Sequence, residues 1–70
     1  MKQKIYNELI VLCKKKIETS QKPEKFEKIL KIIQTEDAFE RMTFDISMNI
    51  LLDLGFSNND ALEVYKKLIA

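Results

Sequence analysis

"LLDLGFSNNDALEVYKKLI", residues 51–69, is the most punctuated stretch of the chain and holds its only glycine. It reads as helix, stop, restart, helix. Gly55 follows Leu51-Leu52-Asp53-Leu54 and accepts the left-handed backbone with which helices commonly end. Phe56 is the apolar residue that folds back over such an ending. Ser57 is placed to cap the next helix, with Asp60 three residues on, close to the spacing of a capping box. Ala61, Leu62, Tyr65, Leu68 and Ile69 then share one helical face, with Val64 at its edge. Each residue of "LGFSNND" has a part in turning the chain, so this corner is expected to be a packing hinge between two helices.

Upstream of the corner, Phe39, Met42, Ile46, Ile50 and Leu54 recur at helical spacing. Phe44, Met48, Leu51 and Leu52 make a second stripe on roughly the opposite side. The pattern predicts a helix over about 36–54 that is apolar on two sides and therefore buried on two sides. Thr35 is the expected cap at its start, with Glu36 and Asp37 suited to the positive helix end. Thr43 or Asp45 would cap a fresh start if the helix resets at "MTFD". Phe26, Ile29, Leu30 and Ile33 mark a helix over about 22–34. It follows the break "SQKPEKF", in which Pro23 suits a first helical turn. Ile5, Leu9, Leu12 and Cys13, widened by Tyr6, Ile10 and Ile17, mark another over about 2–19. The chain therefore reads as all-α: one compact, four-helix bundle-like domain over residues 1–70, with helices at about 2–19, 22–34, 36–54 and 57–69.

Composition agrees. Seventy residues make one small domain, and 46% hydrophobic with 33% charged residues can fold. One Gly and one Pro leave few turns. A core of this size typically leaves only ~3–5 kcal/mol of net stability. Cys13 is the only cysteine, so no disulfide can form within the chain. With no histidine and one thiol, no nitrogen/sulfur zinc site can form either. No metal and no cofactor are expected. Stability must come from helix packing, from a partner chain, or from both. The N-terminal "MKQKIYNELIVLCKKK" imitates a lipoprotein signal, but the apolar run Leu9–Cys13 is short and Glu8 abuts it. No stretch approaches the ~18 apolar residues of a membrane span. These features, with a lone thiol, lead us to expect a cytoplasmic protein with an unprocessed N-terminus. The lysine and isoleucine content suggests a bacterial or phage genome.

Catalysis finds little support in the residue set. There is no histidine for a triad or a base. There is no glycine-rich loop for a phosphate. The carboxylates all have ready roles as caps or ion-pair partners. Cys13 lies on the apolar face of its helix, as a buried, inert thiol would. A non-enzyme is expected.

The Gly55 corner resembles a helix-turn-helix DNA-binding motif over residues 48–69. Gly55 stands at the turn, with Ile50, Leu54, Phe56, Ala61 and Val64 where that motif has apolar residues. Leu51 departs from it, since a small residue is expected there. That resemblance implies nucleic-acid contacts by Asn58 and Asn59, because asparagine can read adenine. Asp60 and Glu63 on the same helix would face phosphates and oppose it. "LGF" also resembles the corner of ubiquitin-associated domains and of the RuvA C-terminal domain, which continue into a third helix not expected here. The helix, glycine, apolar, serine order is similar again to ribbon-helix-helix antitoxins, which need a strand that "FERMTF" supplies poorly. All three resemblances have one physical cause, a glycine stop followed by a serine cap, and identify a corner rather than a family.

Charge is unevenly spread. Residues 1–34 hold nine lysines and four acids, a net +5, while residues 35–70 hold three basic residues and seven acids, a net −4. The halves should attract each other, within one chain or between two. Glu24–Lys28, Glu27–Lys31 and Glu63–Lys67 have the favourable i, i+4 orientation of a solvated helix face. A single arginine argues against phosphate or base recognition. What remains is recognition by surface. Phe44, Met48 and Leu51, on the second stripe, combine an aromatic anchor with adaptable methionine packing and are the expected protein interface; the alternative is that this helix is central, with the other three wrapped around it and the second stripe in the core. The expected function is that of a small regulator, adaptor or inhibitor that binds another protein and itself as a homodimer. The alternative is a small DNA-binding regulator using residues 48–69.

Overall fold

The computed structural model describes residues 2–70 and contains five helices: α1 (Lys2–Thr19), α2 (Pro23–Ile33), α3 (Ala38–Arg41), α4 (Phe44–Asp53) and α5 (Asn58–Ile69). The all-α expectation holds, with no strand among the described residues. The radius of gyration is 11.2 Å, the value of about 11 Å expected for a globular chain of this length. None of the helices is long and apolar enough to cross a membrane.

Two helical hairpins make up the body. In the first, α1 runs to Thr19, where the side chain donates to the Lys15 carbonyl at 3.0 Å. The chain turns through Ser20, whose Oγ accepts from the Lys22 amide at 3.1 Å. It then enters α2 at Pro23, the first helical residue, whose missing N–H costs nothing there. Leu9 and Cys13 of α1 meet Ile29 and Ile33 of α2 in the buried core. The Cys13 Sγ donates to the Phe26 carbonyl at 3.1 Å.

The second hairpin is α4–α5, closed by the opening stretch. The Phe56 amide donates to the Leu51 carbonyl at 3.2 Å and the Gly55 amide to the Leu52 carbonyl at 3.0 Å. These are the paired 6→1 and 5→2 bonds of a Schellman ending. They require Gly55 at φ +107°, a conformation that L-residues with a side chain resist. Space is not the constraint: a Cβ there would lie 3.7 Å from its nearest neighbour, the Lys16 Nζ. That ammonium also stands at the negative end of α4, where a cation is favoured. Ser57 then caps α5, its Oγ accepting from the Asp60 amide at 3.2 Å.

The single helix expected over 36–54 is corrected by the structure. It is two helices, because Met42 is extended at φ −100°, ψ 159° and Thr43 restarts the chain as a cap. The Thr43 Oγ1 accepts from the Ile46 amide at 3.2 Å. The fold thus has one more helix than expected, although α3 is a single turn. Thr35 caps nothing; its hydroxyl donates back to the Lys31 carbonyl at 3.2 Å. Asp37 takes the cap position of α3 in left-handed geometry, φ 55°, with no side-chain bond to the helix.

A single turn has no stability of its own. α3 is held instead by tertiary contact: it packs against α5 and α2, and α1 supplies its buried polar and aromatic partner. The Phe39 amide, one of the orphan donors at the start of a helix, donates to the Tyr6 hydroxyl at 3.2 Å, and both groups are buried. The two rings lie 5.8 Å apart at 47°, and Phe39 is fully enclosed. The expected attraction between halves takes definite form: Lys2 pairs with Glu40, and Lys25 with Asp53 at 3.0 Å. The Glu40 carboxylate holds the Lys2 ammonium above the usual lysine range. Among the described residues, none of the three i, i+4 pairs expected on α2 and α5 closes to ion-pair distance.

Candidate protein-binding surface

The core side of α4 falls between the two expected stripes, taking Ile50 and Leu54 from one and Leu51 from the other. On α4, the inward positions are Ser47, Ile50 and Leu51, with Leu54 just beyond its end. Leu51, expected at an interface, is fully buried, because it lies one turn past Ser47 on the core side. Ile46, expected in the core stripe, is 49% exposed. It sits on the opposite flank, near the side from which Asp53 reaches Lys25.

Phe44, Met48 and Leu52 are each one turn apart on α4 and follow the flank that leads out of the core. Phe44 is 48% exposed, Leu52 is 38% exposed, and Met48 is half-buried. On α5, Ala61 and Leu68 face inward, while Leu62, Tyr65 and Ile69 recur at helical spacing on one flank. Ile69 is 41% exposed; Leu62 and Tyr65 are half-buried. One contact shows that these two flanks adjoin: the Phe44 and Tyr65 rings meet edge to face, 5.2 Å apart at 78°. Such a pair adds about 0.5–1.5 kcal/mol beyond area burial. The result is an apolar strip along the α4–α5 seam. Of the expected interface residues, Phe44 and Met48 lie in it and Leu51 lies beneath it.

The strip's rims are polar. Asp45 follows Phe44 on the outer side of α4, and Lys66 follows Tyr65 on the outer side of α5. Both are exposed, and neither has an ion-pair partner among the described residues. Asn58 and Asn59 lead α5 and are exposed, as are Asp60 and Glu63 farther along it. The acids thus stay on the helix that would have to approach nucleic acid.

A second concavity lies between α1 and α5, with Ile5, Leu9, Leu12, Phe56 and Val64 as its floor and Glu8 and Lys67 at its edge. Phe56 reaches it from the Gly55 turn. Ser47 is a different kind of feature. It is fully buried in α4, and its Oγ has no hydrogen-bond partner. Cys13 is fully buried, and desolvation pushes its thiol pKa up, so the nucleophilic thiolate is disfavoured.

Sequence reasoning missed Tyr65 as the partner of Phe44 and Ile69 as a strip residue, and it placed Leu52 on the second stripe but named Leu51 instead for the interface. The signal was present: with Leu51 placed inward, Leu52 must turn outward by ~100°. Comparison with protein-family models, with curated proteins and with solved structures gave no match to this chain.

Proposed function

We propose that this protein acts without catalysis, as a small regulator, adaptor or inhibitor that docks another protein on the α4–α5 strip. The observation that carries this reading is the exposed Phe44–Tyr65 ring pair, continued by Met48, Leu52, Leu62 and Ile69. A half-exposed phenylalanine beside a methionine is poor surface chemistry for a chain with nothing to bind, and good chemistry for a desolvated anchor. The residue set favours no competing chemistry: no histidine is present, and the single thiol is enclosed.

The test is capture and reconstitution. Immobilised wild-type protein is incubated with an extract of the source cell, and the captured protein is identified, purified and titrated back. Phe44→Glu and Leu52→Glu should each weaken that binding about tenfold or more while keeping the helical circular dichroism of wild type. Val11→Glu, on the exposed back of α1, should leave it unchanged. Equal binding by all three variants would overturn the reading.

A further inference from the structure

We infer that the α4–α5 strip is self-complementary, and that a second copy of this chain occupies it across a two-fold axis parallel to the α4 and α5 axes. The inference rests on the reading of the strip as a protein-docking surface and commits it to one occupant and one arrangement. Three observations support it. First, the strip is apolar along its centre, so two copies can bury it against each other. Second, its two rims have opposite charge at the same height. Phe44 touches Tyr65, so the next residues, Asp45 on the α4 rim and Lys66 on the α5 rim, flank that ring pair on opposite sides. Third, both charged groups are exposed and unpaired within the chain among the described residues.

Geometry then selects the axis. A two-fold axis along the helices lays α4 of one copy over α5 of the other. Asp45 of each copy then faces Lys66 of its mate, twice in the dimer. An axis across the helices would lay α4 over α4 and α5 over α5 with their ends exchanged, so that neither Asp45 nor Lys66 would meet its opposite charge in the mate. The footprint sets the strength. Helices of 10 and 12 residues are about 15–18 Å long and about 10 Å wide each. They offer less than the roughly 800 Å² per partner of a standard stable interface. The dimer is therefore weak and reversible, and while it lasts it covers Phe44, Met48 and Leu52.

The experiment is sedimentation velocity from micromolar to millimolar concentration at low salt, on wild type, Asp45→Lys, Lys66→Glu and an equimolar mixture of the two variants. Wild type should be in monomer–dimer exchange. Each variant alone places like charges at both rim contacts and should dimerise about tenfold more weakly. In the mixture, the lysine introduced into one variant meets the glutamate introduced into the other. The second rim contact keeps its native Asp45 and Lys66. The mixture should recover dimer at about the wild-type strength. Variants that dimerise like wild type, or a mixture that does not recover, would overturn the arrangement. A wild type that stays monomeric at millimolar concentration would overturn the inference altogether. Neither result bears on docking of a different protein, which the Phe44→Glu and Leu52→Glu capture series reads separately.

Discussion

Replacing Tyr6 by phenylalanine removes one oxygen atom and should cost a large share of the stability of this chain. The hydroxyl accepts from the buried Phe39 amide at 3.2 Å. That amide is at the start of α3, where a cap side chain would normally serve it, and Asp37 makes no such bond. No other group replaces the hydroxyl when it is removed. The expected cost is that of a buried donor left unsatisfied, about 1–3 kcal/mol. The ring pair with Phe39, 5.8 Å apart, survives in the variant, so the loss reports the hydrogen bond rather than the packing. Against the ~3–5 kcal/mol typical of so small a core, this is at least a fifth of the total. It should lower the melting temperature by about 4–8 °C per kcal/mol. Urea unfolding followed by circular dichroism measures it: the midpoint should fall with an unchanged slope. Amide exchange at Phe39 supplies a local reading, with protection lost in the variant. A Tyr6→Phe protein as stable as wild type, with Phe39 still protected, would refute the idea that α1 caps α3.

At the α4–α5 corner, Gly55→Ala should cost about 1–2 kcal/mol from backbone strain at φ +107°, and Ser57→Ala about 1 kcal/mol from the lost cap; both are read as urea midpoints. Ser47→Ala should raise stability by about 0.5–1 kcal/mol, since it removes a buried hydroxyl without a partner and improves helix propensity; a loss on thermal melting would show that the hydroxyl is satisfied. Burial holds the Cys13 thiol pKa above its ordinary value. Above that ordinary value the unfolded chain gains stability by ionising while the native thiol stays neutral. Stability should therefore fall as pH rises from about 8 to about 9.5, more steeply in wild type than in Cys13→Ala. Titration with duplex DNA at two salt concentrations should show no sub-micromolar binding; tight, salt-sensitive binding lost on replacing Asn58 and Asn59 would instead favour the helix-pair reading.

The parts of the fold that are written locally were legible. The Gly55 stop and the Ser57 cap need only their own neighbours, and both stand where the residues place them. α1 and α2 follow from single apolar faces. The possible reset at "MTFD", with Thr43 as one of its two candidate caps, was legible; the region from Thr35 to Met42 was not, because its structure is decided at long range. Phe39 and Met42 continue the helical spacing of Ile46 and Ile50, so the apolar pattern runs straight through the break. What splits it is the Thr43 cap and the enclosure of Phe39 against Tyr6. Nothing local indicated that Asp37 would adopt left-handed geometry while a tyrosine 33 positions before Phe39 served the next turn. The strip's edge was misplaced for a different reason. Phe44, Met48, Leu51 and Leu52 all lie within α4 and keep their relative angles however the chain enters it. The stripe they form was read as wholly outward, whereas its Leu51 edge borders the core and its Leu52 edge faces solvent. Phe44 and Met48 were found because they lie between those two edges, at the middle of the stripe.

The one-turn helix between the hairpins has a kinetic consequence. Each hairpin is closed by a turn of a few residues, so its contacts are near in sequence and fast to form. The contacts that join them, Tyr6 with Phe39, Lys2 with Glu40 and Lys25 with Asp53, span 28 to 38 positions and must wait for the chain to close a longer loop. Mating of the two halves is then the slow step, and α3 is where it is consummated. Changes at Tyr6 or Phe39 would alter how quickly the halves stay mated or part, while changes at Gly55 would alter how readily one half is ready to mate at all.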